Sequence, residues 1–198
     1  MFTRDAEEPS KSISALSDLR RQDPRPRQTR ELLGDALVEL IQDKAFDDIT
    51  VQDVLDRAGV GRTTFYKHYL NKQDLFLSDV EDLFEGMANL LDRRSAGCER
   101  IAPVVELFSH VDDVRELYKT LDLAGKMTDV RAVGIGLFAQ SIERRLSASG
   151  GGVSGTTLRA TSHGLAGALF SLLDWWIYSG NDLSPIQMDA VFHAMVRQ

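Results

Sequence analysis

The sequence predicts an all-α protein, on the evidence of three observations. Only five prolines occur in 198 residues, and three of them precede residue 27, so the rest of the chain is almost free of the residue that breaks helices. No segment alternates strictly between apolar and polar residues, as half-buried strands do. Apolar residues recur instead every three or four positions, which is typical of helices that pack on a core.

Composition and charge exclude several protein classes. The chain is 43% hydrophobic and 27% charged, as globular proteins are, so wholesale disorder is excluded. No apolar run approaches the roughly 18 residues of a membrane-spanning helix, and the first residues lack the apolar stretch of a secretory signal. The single cysteine, Cys98, excludes an internal disulfide framework and a cysteine-based zinc site. We therefore expect a cytoplasmic protein that does not contact a membrane.

The first elements along the chain are an arm and a helix. Residues 1–26 are polar and include several arginines, and we expect them to form a flexible basic arm. A helix is predicted at about residues 28–44, where Leu33, Leu37, Leu40 and Ile41 form an apolar stripe. Gly34 within it costs up to about 1 kcal/mol against alanine, which a close crossing with another helix would explain.

The spacing of a helix-turn-helix follows over residues 50–69. Thr50 and Asp53 resemble a capping box that opens a second helix. Gly59 can adopt positive φ and marks a tight turn, after which a short third helix is predicted at about residues 62–69. A fourth helix is predicted to begin near Asn71.

The remaining sequence predicts five more helices, near residues 101–111, 112–124, 128–147, 157–179 and 185–197. The last opens with Ser184, Pro185 and Gln187, which combine a cap, a proline at the first helical position and a capping-box glutamine. Glycine and serine predominate at residues 147–156, which predicts a flexible connection.

Positive charge is concentrated in two places, although the net charge of −7 argues against nucleic-acid binding. Residues 57–72 hold four basic residues and no acidic one, a local charge of +4. Residues 20–30 hold five arginines and one aspartate, again +4. Local positive charge can drive phosphate binding through counterion release, even in an acidic protein.

Several motifs occur in order between Arg27 and Phe76: the stripe of the first helix, F-x-x-I-T-V, A-G-V, T-x-Y-x-H-Y and N-K-x-x-L-F. In this order they resemble the DNA-binding domain of the tetracycline-repressor (TetR) family of bacterial regulators. The resemblance implies a three-helix helix-turn-helix DNA-binding domain at residues 27–74, after the arm at 1–26. It further implies a helical effector-binding and dimerisation domain at residues 75–198. The long arm and Gly34 depart from the family pattern.

Residue chemistry and the resemblance together select the candidate DNA-binding residues. Arg62 begins the third helix, and its guanidinium can bond guanine in the major groove at two points. Lys72 lies at the amino end of the fourth helix, where the helix dipole favours a phosphate. A solvated or packing side chain is the alternative at each position. The candidates are Arg27, Arg30, Thr50, Arg62, Thr63, Thr64, Tyr66, Lys67, His68 and Lys72.

The helix predicted at residues 157–179 has a face of small residues at spacings of three and four. Small residues let two helices approach closely, so we expect this face to form a homodimer seam with the last helix. Packing within one subunit is the alternative. The expected seam residues are Thr161, Gly164, Ala168, Ser171, Trp175, Phe192 and Met195.

An effector pocket is expected among helices four to eight. Its lining would be apolar and aromatic, although a plain core requires the same residue types. No charged cluster is evident there, so we expect an apolar or aromatic small molecule. The expected lining residues are Leu83, Met87, Phe108, Tyr118, Phe138 and Ile142.

These features together predict a ligand-responsive transcriptional regulator, a repressor that binds a palindromic operator in double-stranded DNA as a homodimer. The alternative is a module of the same fold that acts through a protein partner without DNA. Metalloprotease, P-loop and dinucleotide-binding motifs do not occur, so we expect neither an enzyme nor a bound metal or cofactor.

Overall fold

The computed structural model describes residues 24–94, 100–148 and 155–197. Over these ranges the fold is all-α, as predicted, with nine α-helices, one 3₁₀ turn and no strand. None of the described helices is long and apolar enough to cross a membrane. The 3₁₀ turn is Phe46–Asp48, and the helices are α1 (Pro24–Asp43), α2 (Val51–Ala58), α3 (Arg62–Phe65), α4 (Lys72–Arg94), α5 (Val104–Asp113), α6 (Arg115–Leu123), α7 (Met127–Ala148), α8 (Gly155–Tyr178) and α9 (Pro185–Val196).

Some boundaries differ from the predicted ones. Helix α1 begins at Pro24, inside the predicted arm, because the first helical turn tolerates proline. Residues 1–23 of that arm lie outside the described residues. Helix α3 ends at Phe65 rather than near residue 69, and the chain continues in tight turns in which His68 and Tyr69 both donate their N–H to the Phe65 carbonyl. Of the predicted flexible connection, residues 149–154 are likewise outside the described ranges.

The helix-turn-helix is built by local interactions that the sequence predicted. The Thr50 hydroxyl accepts a hydrogen bond from the Asp53 N–H, while the Asp53 carboxylate accepts one from the Thr50 N–H. Gly59 has φ +66°, and its N–H donates to the Leu55 carbonyl at the end of α2. This left-handed residue ends α2 and lets the chain turn into α3.

Helix α4 connects the two lobes of the molecule, a first lobe that comprises α1, α2 and α3 and a second lobe that comprises α5 to α9. Its first turns contribute Leu75 and Phe76 to the part of the hydrophobic core beside α1, α2 and α3, which we call the first core. Its later turns contribute Phe84 to the part beside α7 and α8, the second core, and the two parts are continuous. The domain boundary predicted at residue 75 therefore falls within the first turn of a continuous helix.

The crossing of α1 with α4 explains the glycine in α1. A Cβ atom on Gly34 would collide with the carboxylate of Asp79 on α4. A side chain at position 34 would force the Asp79 carboxylate to move, so the close crossing that the sequence predicted accounts for the glycine.

The second lobe is organised around the hairpin of α7 and α8. Helix α4 packs on α7, while α9 packs mainly on α5. The rings of Phe84, Phe138 and Phe170 form an aromatic cluster with centroid separations of 5.2–5.9 Å. This cluster lies directly against Gly134 of α7, where a Cβ atom would collide with Phe170.

Candidate nucleic-acid interface

One side of α3 is buried and the other is open to solvent. Phe65 is fully buried in the first core, and Tyr69 after the helix is also buried. Five of the candidate residues around them are exposed and Thr64 is half-buried; the exposed ones are Arg62, Thr63, Tyr66, Lys67 and His68. Phe65 and Tyr69 therefore anchor this segment in the core, while its other side presents the continuous polar and basic surface that a recognition helix needs.

Arg62 is oriented by a neighbour that the sequence reasoning missed. Its Nη2 donates to Oε1 of Gln52 over 3.3 Å, and Nε2 of Gln52 donates to Oδ1 of Asp56 over 2.7 Å. Gln52 is an exposed residue of α2, so its amide lies on the same surface as the Arg62 guanidinium. A glutamine within the helix-turn-helix sequence could have indicated this candidate, because its amide can bond to adenine in the major groove.

Thr50 is committed to its cap. Its hydroxyl donates to Oδ2 of Asp53 over 2.7 Å, and the same oxygen accepts from Nζ of Lys44 over 2.8 Å. The Lys44 hydrogen bond, together with those from Thr50, lowers the pKa of Asp53 far below its usual value. The carboxylate stays ionised and holds the start of α2, while contact of Thr50 with a phosphate stays a prediction.

Lys72 differs from its predicted role. Its ammonium donates to the carbonyl oxygens of Phe46 (2.6 Å), Asp47 (2.9 Å) and Ile49, and burial lowers its pKa. An ammonium has three N–H donors, and these three carbonyls engage all of them. Lys72 therefore ties the start of α4 to the segment before α2, and no N–H remains free for the predicted phosphate contact.

Residues 57–72 have fewer basic side chains free to bind DNA than their local charge of +4 indicates. Arg57 is paired with Glu39 (3.0 Å) and Asp43 (3.2 Å) on α1, so it faces away from α3. Arg27 is paired with Glu31 over 2.8 Å, and Arg30 is half-buried. With Lys72 also engaged, the exposed positive charge around α3 comes from Arg62 and Lys67.

The face of α8 predicted as a dimer seam is open to solvent. Thr161, Gly164 and Ser171 are exposed, Ala168 is half-buried, and nothing lies within 4 Å of a Cβ built on Gly164. Trp175 of α8 and Met195 of α9 are about half exposed, at 50% and 52%. Large apolar side chains that the prediction had omitted are exposed on the same helices: Tyr178, Ile186 and Val191.

Phe192 is placed differently from the prediction. It is 1% exposed and belongs to the hydrophobic core of its own subunit. Helix α9 packs on α5, so the side of α9 that carries Phe192 faces inward. The predicted seam therefore loses this residue and keeps Met195.

The residues predicted to line an effector pocket belong to the packed core. Met87, Phe108, Phe138 and Ile142 are buried in it, and Leu83 packs against it from a half-buried position. A groove of about 940 Å³ between α4 and α7 has another lining, which is largely polar: Glu85, Ala88, Asn89, Leu137, Gln140, Glu143, Arg144, Ser147 and Ala148.

Tyr118, the sixth predicted lining residue, belongs to a charged cluster that the sequence did not reveal. Its hydroxyl donates to Oδ1 of Asp174 on α8 over 2.7 Å, and burial raises its pKa. Arg131 of α7 donates to the same oxygen over 2.9 Å and to Asp122 of α6 over 3.1 Å. The cluster joins three helices, and Asp174 lies more than 40 residues from its other members in the sequence.

Comparisons with known proteins agree with this geometry. Residues 33–78 match the family model of bacterial regulatory proteins, tetR family. Similar solved structures include a TetR-family transcriptional regulator from Syntrophomonas wolfei str. Goettingen (14% identity, TM-score 0.61, covering 86% of this chain and 94% of that one). Another is the fatty acid degradation regulator FadR from Bacillus halodurans (14% identity, TM-score 0.58, covering 89% of this chain and 96% of that one). A third is the dihydroxyacetone kinase operon activator DhaS (17% identity, TM-score 0.58, covering 85% of this chain and 92% of that one).

These similarities extend over both lobes but differ in what they establish. No curated protein matches the chain, and the identities to the solved structures are low enough that they show the fold alone. The three structures are named as regulators or activators. The family match over residues 33–78 shows that the helix-turn-helix resembles that of the tetR family of bacterial regulatory proteins, and the chain shares the two-lobed fold of the solved structures.

Proposed function

We propose that this protein regulates transcription by binding a palindromic operator in double-stranded DNA as a homodimer, with α3 in the major groove. The observation that carries the proposal is the exposed surface of α3 and the following turn, above the buried Phe65. Arg62 would read guanine, and Gln52 beside it would hold the guanidinium in position or contact an adjacent base. Lys67 and His68 would contact phosphates.

A dimer is the assembly that this surface requires. One helix-turn-helix reads only a few base pairs, so useful specificity needs two of them at a fixed spacing. The exposed small residues of α8 permit a close helix approach, and the half-exposed Trp175, Tyr178 and Met195 supply apolar area for an interface. These features support a seam formed by α8 and the outer side of α9.

The second lobe would respond to a small molecule. An apolar or aromatic ligand that entered the core near Phe84, Phe138 and Phe170 would have to displace α4 or α8. The rings already pack directly against Gly134 of α7, so there is no free space on that side. Since α4 is continuous with the first lobe, such a displacement would change the separation of the two recognition helices. The ligand would then shift an equilibrium between DNA-competent and incompetent spacings.

We propose repression as the direction of regulation, because a dimer on a promoter excludes polymerase without further contacts. One protein of similar fold, DhaS, is an operon activator, so a reporter assay must decide the sign. A reporter driven by the regulated promoter should become more active when the protein is removed. Lower reporter activity would identify an activator.

Binding to the DNA upstream of the protein's own gene tests the proposal directly. A gel shift with the full chain should give a complex that survives an excess of random DNA and is lost in Arg62→Ala. Lys119→Ala serves as the control, since Lys119 pairs with Glu116 within α6 of the second lobe. A folded wild-type protein that binds none of this DNA would favour the alternative, a module that acts through a protein partner.

A further inference from the structure

Lys126, in the turn between α6 and α7, reaches from the second lobe into the first. Its Nζ lies 2.7 Å from Oδ1 of Asp47 and 5.2 Å from the centroid of the Phe46 ring. The pKa of Asp47 is lowered, first of all by the hydrogen bond from Lys126. Lys126 therefore makes both a charged and an aromatic contact with the 3₁₀ turn before α2.

Helix α4 also holds the same turn. Lys72 lies 5.0 Å from the Phe46 centroid and donates to the carbonyls of Phe46, Asp47 and Ile49. The Phe46 ring is thus close to two ammonium groups, one from each lobe. Beside them, Nε2 of Gln73 on α4 donates to Asp129 on α7 over 3.2 Å.

The position of this turn determines where the helix-turn-helix begins. Phe46 and Ile49 are buried in the first core, and Thr50, which caps α2, is the next residue. A displacement of the turn would therefore be transmitted to the start of α2 and to the surface that carries Gln52 and Arg62.

On the second-lobe side, the turn that carries Lys126 is anchored to the hairpin. The Lys126 N–H donates to the Leu121 carbonyl, which closes the end of α6. Arg131, in the second turn of α7, bonds Asp122 of α6 and Asp174 of α8. Lys126 therefore moves with α6, α7 and α8 as these helices move.

We propose that Lys126 is a positioning residue for DNA recognition: through Asp47 and Phe46 it sets the orientation of the helix-turn-helix relative to the second lobe. The role in DNA recognition rests on the proposed function, whereas the effect on orientation does not. Asp47 is largely exposed, and an exposed ion pair contributes modestly. Removing the Lys126 charge should therefore weaken operator binding only about two- to fivefold.

The orientation of the two lobes is measured without DNA, from distances between two spin labels on one chain obtained by double electron–electron resonance. Spin labels at Lys67→Cys and Ala160→Cys, both exposed positions, report on the two lobes after Cys98→Ser removes the native thiol. The doubly labelled chain is diluted into unlabelled chain, so that distances between subunits do not contribute. Lys126→Met, which keeps the apolar stem against Phe46, should broaden or shift the distance distribution.

Two further variants make the result specific. Lys119→Met removes a lysine of α6 that pairs within its own helix, and it should leave the distribution as in the wild type. The charge swap Lys126→Asp with Asp47→Lys should restore the narrow distribution, because the pair is rebuilt in reverse. An unchanged distribution in Lys126→Met would overturn the proposal, as would a swap no better than Lys126→Met alone.

A DNA-binding experiment distinguishes a positioning role of Lys126 from direct contact with DNA. Lys126→Met should weaken operator binding at every salt concentration and leave the slope of log affinity against log salt unchanged, because no phosphate contact is lost. A reduced slope would show that Lys126 contacts DNA itself and would overturn the positioning role. If the wild type binds no DNA, the proposed function fails, while the distance measurement still decides the contact between the lobes.

Discussion

At the scale of single residues, Arg62 and Lys67 are both exposed cations of the proposed DNA-binding surface, but they can act on DNA differently. Arg62 stands at the start of α3, and its planar guanidinium is held by Gln52. Lys67 follows the helix in a tight turn. A guanidinium forms two directed bonds with guanine, whereas an ammonium acts mainly as a point charge on phosphate.

Substitution of these two residues should separate base reading from phosphate binding. Arg62→Ala should cost about 1–3 kcal/mol on the operator and little on random DNA. Lys67→Ala should weaken both alike and reduce the salt slope by about one contact. Fluorescence anisotropy over a range of salt concentrations measures both effects, and equal losses of Arg62→Ala on the two DNAs would reduce Arg62 to a positioning role.

Lys72→Ala should affect stability more than it affects the salt slope. The substitution leaves three carbonyls at Phe46, Asp47 and Ile49 without their charged donor, which costs about 1–3 kcal/mol in the free energy of unfolding. Urea unfolding compares it with Lys67→Ala, which should be within about 0.5 kcal/mol of the wild type. Wild-type stability together with a reduced salt slope would instead restore the phosphate role predicted from the sequence.

His110 should make the protein less stable in mild acid. Burial lowers its pKa to about 4 in the folded chain, against the opposing effect of Asp113, while the unfolded chain keeps the ordinary value of about 6.5. Between these two values the unfolded state binds more protons, so the free energy of unfolding should fall as the pH drops from about 6.5 to 4, by about 2–3 kcal/mol. Urea unfolding at several pH values should show a clearly smaller loss in His110→Gln.

At the scale of elements, two glycines of α7 occupy opposite environments. Gly134 lies against the aromatic cluster, where a Cβ atom would collide with Phe170 and lie 2.8 Å from Phe84. Gly136, two residues later, has nothing within 4 Å of the corresponding position. The packing of α7 on α4 and α8 therefore depends on one glycine and not on the other.

Alanine at these positions should change stability in opposite directions. Gly136→Ala should stabilise the protein by up to about 1 kcal/mol, because alanine is the better helix former. Gly134→Ala gains the same propensity but overpacks the core, and we expect a net destabilisation of about 1–2 kcal/mol. Thermal unfolding of the two single variants measures both changes in stability. Stabilisation by Gly134→Ala would show that the aromatic cluster rearranges at little cost.

At the scale of the whole molecule, the proposed DNA recognition requires that α8 form a seam between two subunits. The space around Gly164 is open within one chain, so a large residue there should not disturb the subunit. In a dimer the same residue would hold the paired helices apart and leave a buried charge without a partner.

Gly164→Glu and Ala168→Arg should therefore give monomers that keep most of their helical circular dichroism and lose operator binding. Light scattering gives the mass, and Arg159→Glu, an exposed position on another side of α8, serves as the control. Dimers of normal operator affinity in both seam variants would move the interface away from this face, towards the exposed Ile186, Val191 and Met195.

The sequence by itself determined the features that depend on residues within about four positions of each other. The capping boxes of Thr50 with Asp53 and of Ser184 with Gln187 formed as predicted, and so did the left-handed turn at Gly59. The all-α fold and the buried stripe of α1 follow the same rule, since helical periodicity and caps are read from neighbouring residues. These local signals also carried the resemblance to a DNA-binding family.

Only the tertiary structure decided which charges remain available for DNA and which apolar residues face solvent. Lys72 is bound by carbonyls 23 to 26 residues before it, and Arg57 by carboxylates on another helix. Phe192 turned inward because α9 packs on α5, and Arg131 met Asp122 and Asp174 across three helices. Each of these contacts joins residues on different helices or segments, beyond the reach of a local pattern. A local pattern does not specify which distant partner a side chain reaches, because the packing of whole helices determines it.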